Sequence, residues 1–138
     1  MKDYIFGLGN IGNTCYLNSA IQLLCLNPKF NNMENISKNP QKAVVKIKKQ
    51  LANLSSLFKG SKQQDSAEAL ILLLEYYGKE INCFDYYHYT EITRIKCKLL
   101  SCLNNQISKR DSLVLMLDIT DDNLDDCYKK IFNLIQAE

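Results

Sequence analysis

Between residues 12 and 78, apolar side chains recur at helical spacing in three separate stretches, each bounded by residues that start or stop helices. In "TCYLNSAIQLLCLNP" the repeat is Leu17, Ala20, Ile21, Leu24 and Cys25, with Asn13 or Thr14 as N-cap and Asn27-Pro28 as the stop. A polar, asparagine-rich connection then leads to Asn39-Pro40, where proline suits the first turn of a second helix. Its stripe is Val44, Ile47, Leu51, Leu54 and Phe58, with Lys46, Lys48 and Lys49 on the solvated side and Gly60 as the end. Ser61 followed by Gln64 has the form of a capping box, and Ala67, Leu70, Ile71 and Leu74 carry a third buried helix up to Gly78.

The pattern changes after Gly78. "DYYHYTEITRIKC" is rich in Tyr, Thr and Ile and favours extended backbone, and "SLVLMLDI" reads as a buried strand. Thr120 can cap a last helix with Asp121 and Asp122 in its first turn and Leu124, Cys127, Tyr128, Ile131 and Ile135 along one side. The expected class is α+β, mostly α, with a small antiparallel β segment and a C-terminal helix. A chain of 138 residues has room for one domain and one core.

A formal net charge of +2 creates no field that selects a nucleic acid, and the longest apolar run, "ALILLL", is too short to span a bilayer. "MKDYIFGLGN" lacks the apolar stretch of a signal peptide, so the expectation is an intracellular protein, cytoplasmic or nuclear, with neither nucleic-acid nor membrane partners. In such a compartment Cys15, Cys25, Cys83, Cys97, Cys102 and Cys127 are read as thiols or ligands before disulfides.

Of these, Cys15 falls in the first turn of the first helix, where unpaired N–H groups and the helix dipole favour a thiolate. Cys25, late on the apolar stripe of the same helix, reads as a small core hydrophobe, the use to which most buried cysteines are put.

The stretch "GLGNIGNTCYLNSAIQLL", Gly7 to Leu24, closely resembles the cysteine box of the ubiquitin-specific proteases, papain-like deubiquitinases that cleave at the C-terminus of ubiquitin. The resemblance implies that Cys15 is the nucleophile and that Asn10 helps form the oxyanion hole. A side-chain amide from Asn10 together with the Cys15 N–H could hold the charge created by attack on a carbonyl. Asn10 can equally serve as a turn former beside Gly9 and Gly12. "KQQDSAEALILLLEYY" resembles the Gln-Gln-Asp helix of the same family, with Gln63, Gln64, Asp65 and Glu68 in matching places and Ala69 where the family usually has phenylalanine. By that likeness Asp65, with Gln64 beside it, binds the basic tail of ubiquitin. The alternative for Asp65 is to stabilise its own helix start.

A third stretch, from Tyr89 to Ile119, resembles the strands leading into the family's fingers, where cysteine pairs hold zinc. Cys97 and Cys102 are separated by four residues instead of two, and no second pair follows, so neither a metal nor a cofactor is expected. The histidine and the Asp or Asn that complete such a protease are missing as well. His88, the only histidine, lies in "FDYYHYTEI", unlike the family's histidine box.

The likeness therefore implies one partial catalytic domain over 1–138: a helical cysteine lobe over 1–78, similar to a papain-like thumb, then the start of the fingers and a final helix over 79–138. Two functions fit. One is a thiol hydrolase lobe acting on ubiquitin or ubiquitinated protein, with a second chain supplying the histidine-bearing half. The other is a non-catalytic module that binds ubiquitin or a protease partner.

Overall fold

The computed structural model describes residues 6–32, 35–97, 105–115, 117 and 123–129. These form two compact units, Met1–Tyr87 and His88–Glu138. The mixed, mostly helical class expected from the sequence is the class observed.

In the first unit α1 (Cys15–Leu24), α2 (Pro28–Asn31), α3 (Pro40–Leu54) and α4 (Ser66–Glu80) surround one apolar core. Helix α1 buries Tyr16, Leu17, Ala20, Ile21 and Leu24, the face its spacing predicts. It stops at the Asn27-Pro28 signal, but the chain immediately makes the short α2, with Pro28 in its first turn and Asn27 Oδ1 accepting from Lys29 N. Asn39 caps α3 in the same way through Lys42 N, and Ala43, Val44, Ile47 and Leu51 face inward. The stripe continues past the end of α3 only at Phe58, which a single turn of 3-10 helix (Ser56–Phe58) delivers into the core against the Tyr16 ring at 5.8 Å. Each fully buried Leu, Ile or Phe contributes roughly 1.5–3 kcal/mol. Ile21, Leu24, Cys25, Phe30, Ile36, Ile47 and Leu73 enclose a residual apolar cavity of about 10 Å³.

Helix α4 departs from expectation in three respects. Its cap is Asp65, whose Oδ1 accepts from Ala67 N at 2.6 Å and Glu68 N at 3.2 Å, so the capping box expected at Ser61 and Gln64 is not formed. Its buried face is Ala69, Leu73, Leu74, Tyr77 and Gly78, rotated from the expected Ala67, Leu70 and Ile71. It runs through Gly78 to Glu80. Gly78 is a site of close approach, since a Cβ there would lie 3.4 Å from the Phe84 Cα in the next 3-10 turn.

The second unit contains an antiparallel hairpin of β1 (Tyr89–Lys96) and β2 (Asn105–Ser112), paired from Tyr89↔Ser112 to Lys96↔Asn105. The second strand is thus formed by the polar segment "NQISKRDS" and not by "SLVLMLDI", of which Ser112 alone is in it. Both strands are largely exposed. A helical segment, α5, follows at 124–129, and Asn123 Oδ1 accepts from Asp125 N at 2.8 Å, making Asn123 the observed cap. Thr120, Asp121, Asp122, Ile131 and Ile135 lie outside the described residues.

Candidate active site

The loop before α1 is built by two residues in the left-handed region. Gly12 has φ 105° and Asn13 φ 49°. Gly12 takes that conformation without steric cost and Asn13 with little, because a short amide tolerates it. The turn lets the chain fold back on Asn10, whose Oδ1 accepts from Gly12 N and Thr14 N, both at 3.1 Å. Both partners are backbone donors, so the oxygen must be the atom facing the loop and Nδ2 must face away from it. Among the described residues Nδ2 has no hydrogen-bond partner, and Asn10 is exposed.

Thr14 occupies the N-cap position of α1, yet its side chain does not cap the helix. Its hydroxyl turns back into the loop, accepting from Ile11 N at 3.1 Å and donating to Asn10 Oδ1 at 3.2 Å. The first turn of α1, where Cys15 stands, thus has no side-chain capping hydrogen bond among the described residues. Cys15 is exposed, and among the described residues its N–H has no partner. Thiol, backbone N–H and the Asn10 amide are thus gathered within one short loop. Burial raises the neighbouring Tyr16 phenol above its ordinary range, and negative charge on Cys15 adds to that effect.

Cys25 behaves as its place on the stripe suggests. It is 1% exposed, and burial pushes its thiol up to about 11. Cys83 is also buried and raised, an effect partly offset by Lys29.

The two recognised motifs meet in the first unit. Asn13 Nδ2 donates to Ser61 O at 2.9 Å, tying the cysteine loop to the segment that leads into α4. Gln64 Nε2 donates to Leu57 O at 2.7 Å and so braces this segment from its other side. Asp65 is exposed and serves as the helix cap through one oxygen. The capping role of Asp65 is the alternative its place before the helix suggested, whereas the anchoring of Gln64 to Leu57 O was not visible from spacing alone.

In the second unit His88 Nε2 lies 3.7 Å from Asp111 Oδ1, which also accepts from Thr90 Oγ1 at 2.8 Å. Cys97 is half-buried just after β1, and Cys102 lies outside the described residues. Among the described residues no group of three or more His, Cys, Asp or Glu could hold a metal ion, and no helix is long and apolar enough to cross a membrane.

The first unit thus presents an exposed thiol in the first turn of α1 and, five residues earlier, a side-chain amide held by the loop backbone. The family model for ubiquitin carboxyl-terminal hydrolase matches residues 6–46, a segment that includes Asn10 and Cys15. Over that segment the chain is similar to this hydrolase family, in agreement with the resemblance of the cysteine box. No curated protein matches the chain.

Proposed function

We propose that the chain is a ubiquitin-specific-protease-like thiol hydrolase lobe that acts at the C-terminus of ubiquitin. Cys15 supplies the nucleophile, Asn10 Nδ2 and the Cys15 N–H hold the oxyanion, and Asp65 with Gln64 receives the basic tail. The observation that carries this reading is the fixed orientation of Asn10: its oxygen is occupied by Gly12 N and Thr14 N, which leaves the amide donor without a partner among the described residues, five positions before an exposed thiol. Asp65 caps α4 through Oδ1 and, being exposed, keeps its second oxygen for an arginine of the substrate. Attack by the thiol needs a base and a residue to orient that base. Residues 1–78 are the cysteine lobe and 79–138 the start of the fingers and a final helix in this reading, with the histidine supplied by a second chain.

The test is hydrolysis of a fluorogenic ubiquitin substrate by the chain and by Cys15→Ala, alone and with a candidate histidine-bearing half. Turnover that Cys15→Ala abolishes supports the proposal. Equal rates under both conditions count against it.

One observation favours the second reading, a non-catalytic binding module. Ile92 and Ile107 share a face of the hairpin as diagonal neighbours and are 54% and 53% exposed, an apolar pair suited to a protein partner. NMR titration with ubiquitin separates the two: shifts on the hairpin without turnover support the module, and shifts around Cys15 and Asp65 support the hydrolase lobe.

A further inference from the structure

The face of α1 that meets the incoming chain carries three polar side chains one turn apart, Thr14, Asn18 and Gln22. Each holds a different part of the segment before the cysteine. Gln22 Nε2 donates to Phe6 O at 2.6 Å. Asn18 Nδ2 is shared between Leu8 O at 3.4 Å and Gly9 O at 3.3 Å. Thr14 Oγ1 donates to the side chain of Asn10 itself at 3.2 Å.

Two features set this ladder apart from ordinary surface polarity. Thr14 is 0% exposed, and among the described residues it is the one buried polar side chain. Its hydroxyl has both functions engaged: Ile11 N fills the acceptor side, which directs the O–H proton to Asn10. The second feature is Asn18 Oδ1, which is buried with no hydrogen-bond partner among the described residues. An unmet buried acceptor is costly, so this amide stabilises the site through its donors alone.

We propose that Thr14 and Asn18 are positioning residues for the oxyanion donor Asn10. Asn18 fixes the backbone at Leu8 and Gly9, the residues that lead into Asn10, and Thr14 fixes the rotation of the Asn10 amide. Neither touches the reacting carbonyl. Their effect reaches the reaction through the direction of Nδ2, because an oxyanion donor is useful only when held where the charge develops. This inference rests on the proposed role of Asn10.

The experiment compares two reagents at Cys15 on the full chain and needs no histidine. With p-nitrophenyl acetate, the thiolate sulfur bonds to the carbonyl carbon, an oxyanion forms and collapses, and nitrophenolate leaves a thioester on the sulfur. With iodoacetamide, the same sulfur displaces iodide from carbon, and no oxyanion forms. Mass spectrometry of the Cys15 peptide gives both rates, and protection of Cys25 from alkylation in the same digest shows that each variant is folded.

The ratio of acylation to alkylation should fall about tenfold in Asn10→Ala and Thr14→Val, and Thr14→Ser should restore most of it. Asn18→Ala leaves the loop's own hydrogen bonds in place and should lower the same ratio, providing a second variant if Thr14→Val does not fold. A normal ratio in Thr14→Val and Asn18→Ala, with a reduced one in Asn10→Ala, overturns the positioning inference and leaves the Asn10 reading standing. A normal ratio in Asn10→Ala overturns both.

Discussion

Asn13 and Ser61, forty-eight residues apart in the chain, are joined by a hydrogen bond of 2.9 Å from the Asn13 side chain to the Ser61 carbonyl. Asn13 also sits at φ 49°, so one residue both turns the cysteine loop and moors it to the approach to α4. Asn13→Ala should destabilise the first unit by about 1–2 kcal/mol, the sum of a lost hydrogen bond and a left-handed alanine. Asn13→Gly loses the bond but relieves the backbone, and it should cost less. Urea unfolding of the three proteins checks the order.

Asp65 has a structural task that can be separated from its proposed one. Asp65→Ala removes the acceptor for Ala67 N and Glu68 N and should cost about 1 kcal/mol of stability. Asp65→Asn keeps a capping oxygen and removes the charge. If the carboxylate receives the basic tail of ubiquitin, Asp65→Asn should unfold close to the parent midpoint while its affinity for ubiquitin falls severalfold in calorimetric titration. Unchanged affinity would confine Asp65 to its helix.

The cysteines should divide sharply toward iodoacetamide. Cys15 is exposed and Cys97 half-buried, whereas Cys25, Cys83 and Cys127 are buried. Mass-resolved alkylation in native buffer should modify Cys15 first and leave Cys25, Cys83 and Cys127 unmodified until denaturant is added.

Alkaline pH should weaken the first unit through Cys25. Its thiol is raised by burial from an ordinary 9.0 to about 11. Below the lower value both folded and unfolded chains keep the proton. Between the two values the unfolded chain releases a proton that the folded chain retains, so stability falls as pH rises, by on the order of 2 kcal/mol. Burial of Cys83 and Tyr16 acts in the same direction. Guanidinium unfolding between pH 8 and 11 should show the decline, and Cys25→Ala should be less stable at pH 8 but decline less steeply.

The first helix was legible because Leu17, Ala20, Ile21 and Leu24 recur at helical spacing with Asn18, Ser19 and Gln22 among them, and the structure leaves Leu23, off that stripe, exposed. Helix α4 was not, since "ALILLLEYYG" is apolar on most sides and periodicity cannot choose between the Leu70 and Leu73 faces. The hairpin misled in the opposite sense. Its strands are exposed, so hydrophobicity pointed to "SLVLMLDI", while the ladder pairs Tyr89–Lys96 with the polar Asn105–Ser112. At the site, the placement of Cys15 followed from helix signals. The orientation of Asn10 did not, because it depends on a threonine that occupies the cap position and bonds the loop instead of its helix.

Thr14, Asn18 and Gln22 hold the approach segment along a single rod, from Phe6 at one end to Asn10 at the other. A transplant of this loop into another scaffold would therefore carry its geometry only if residues 6–24 travelled together, approach segment and helix as one graft. The short turn around Cys15, moved by itself, would arrive without the struts that aim it.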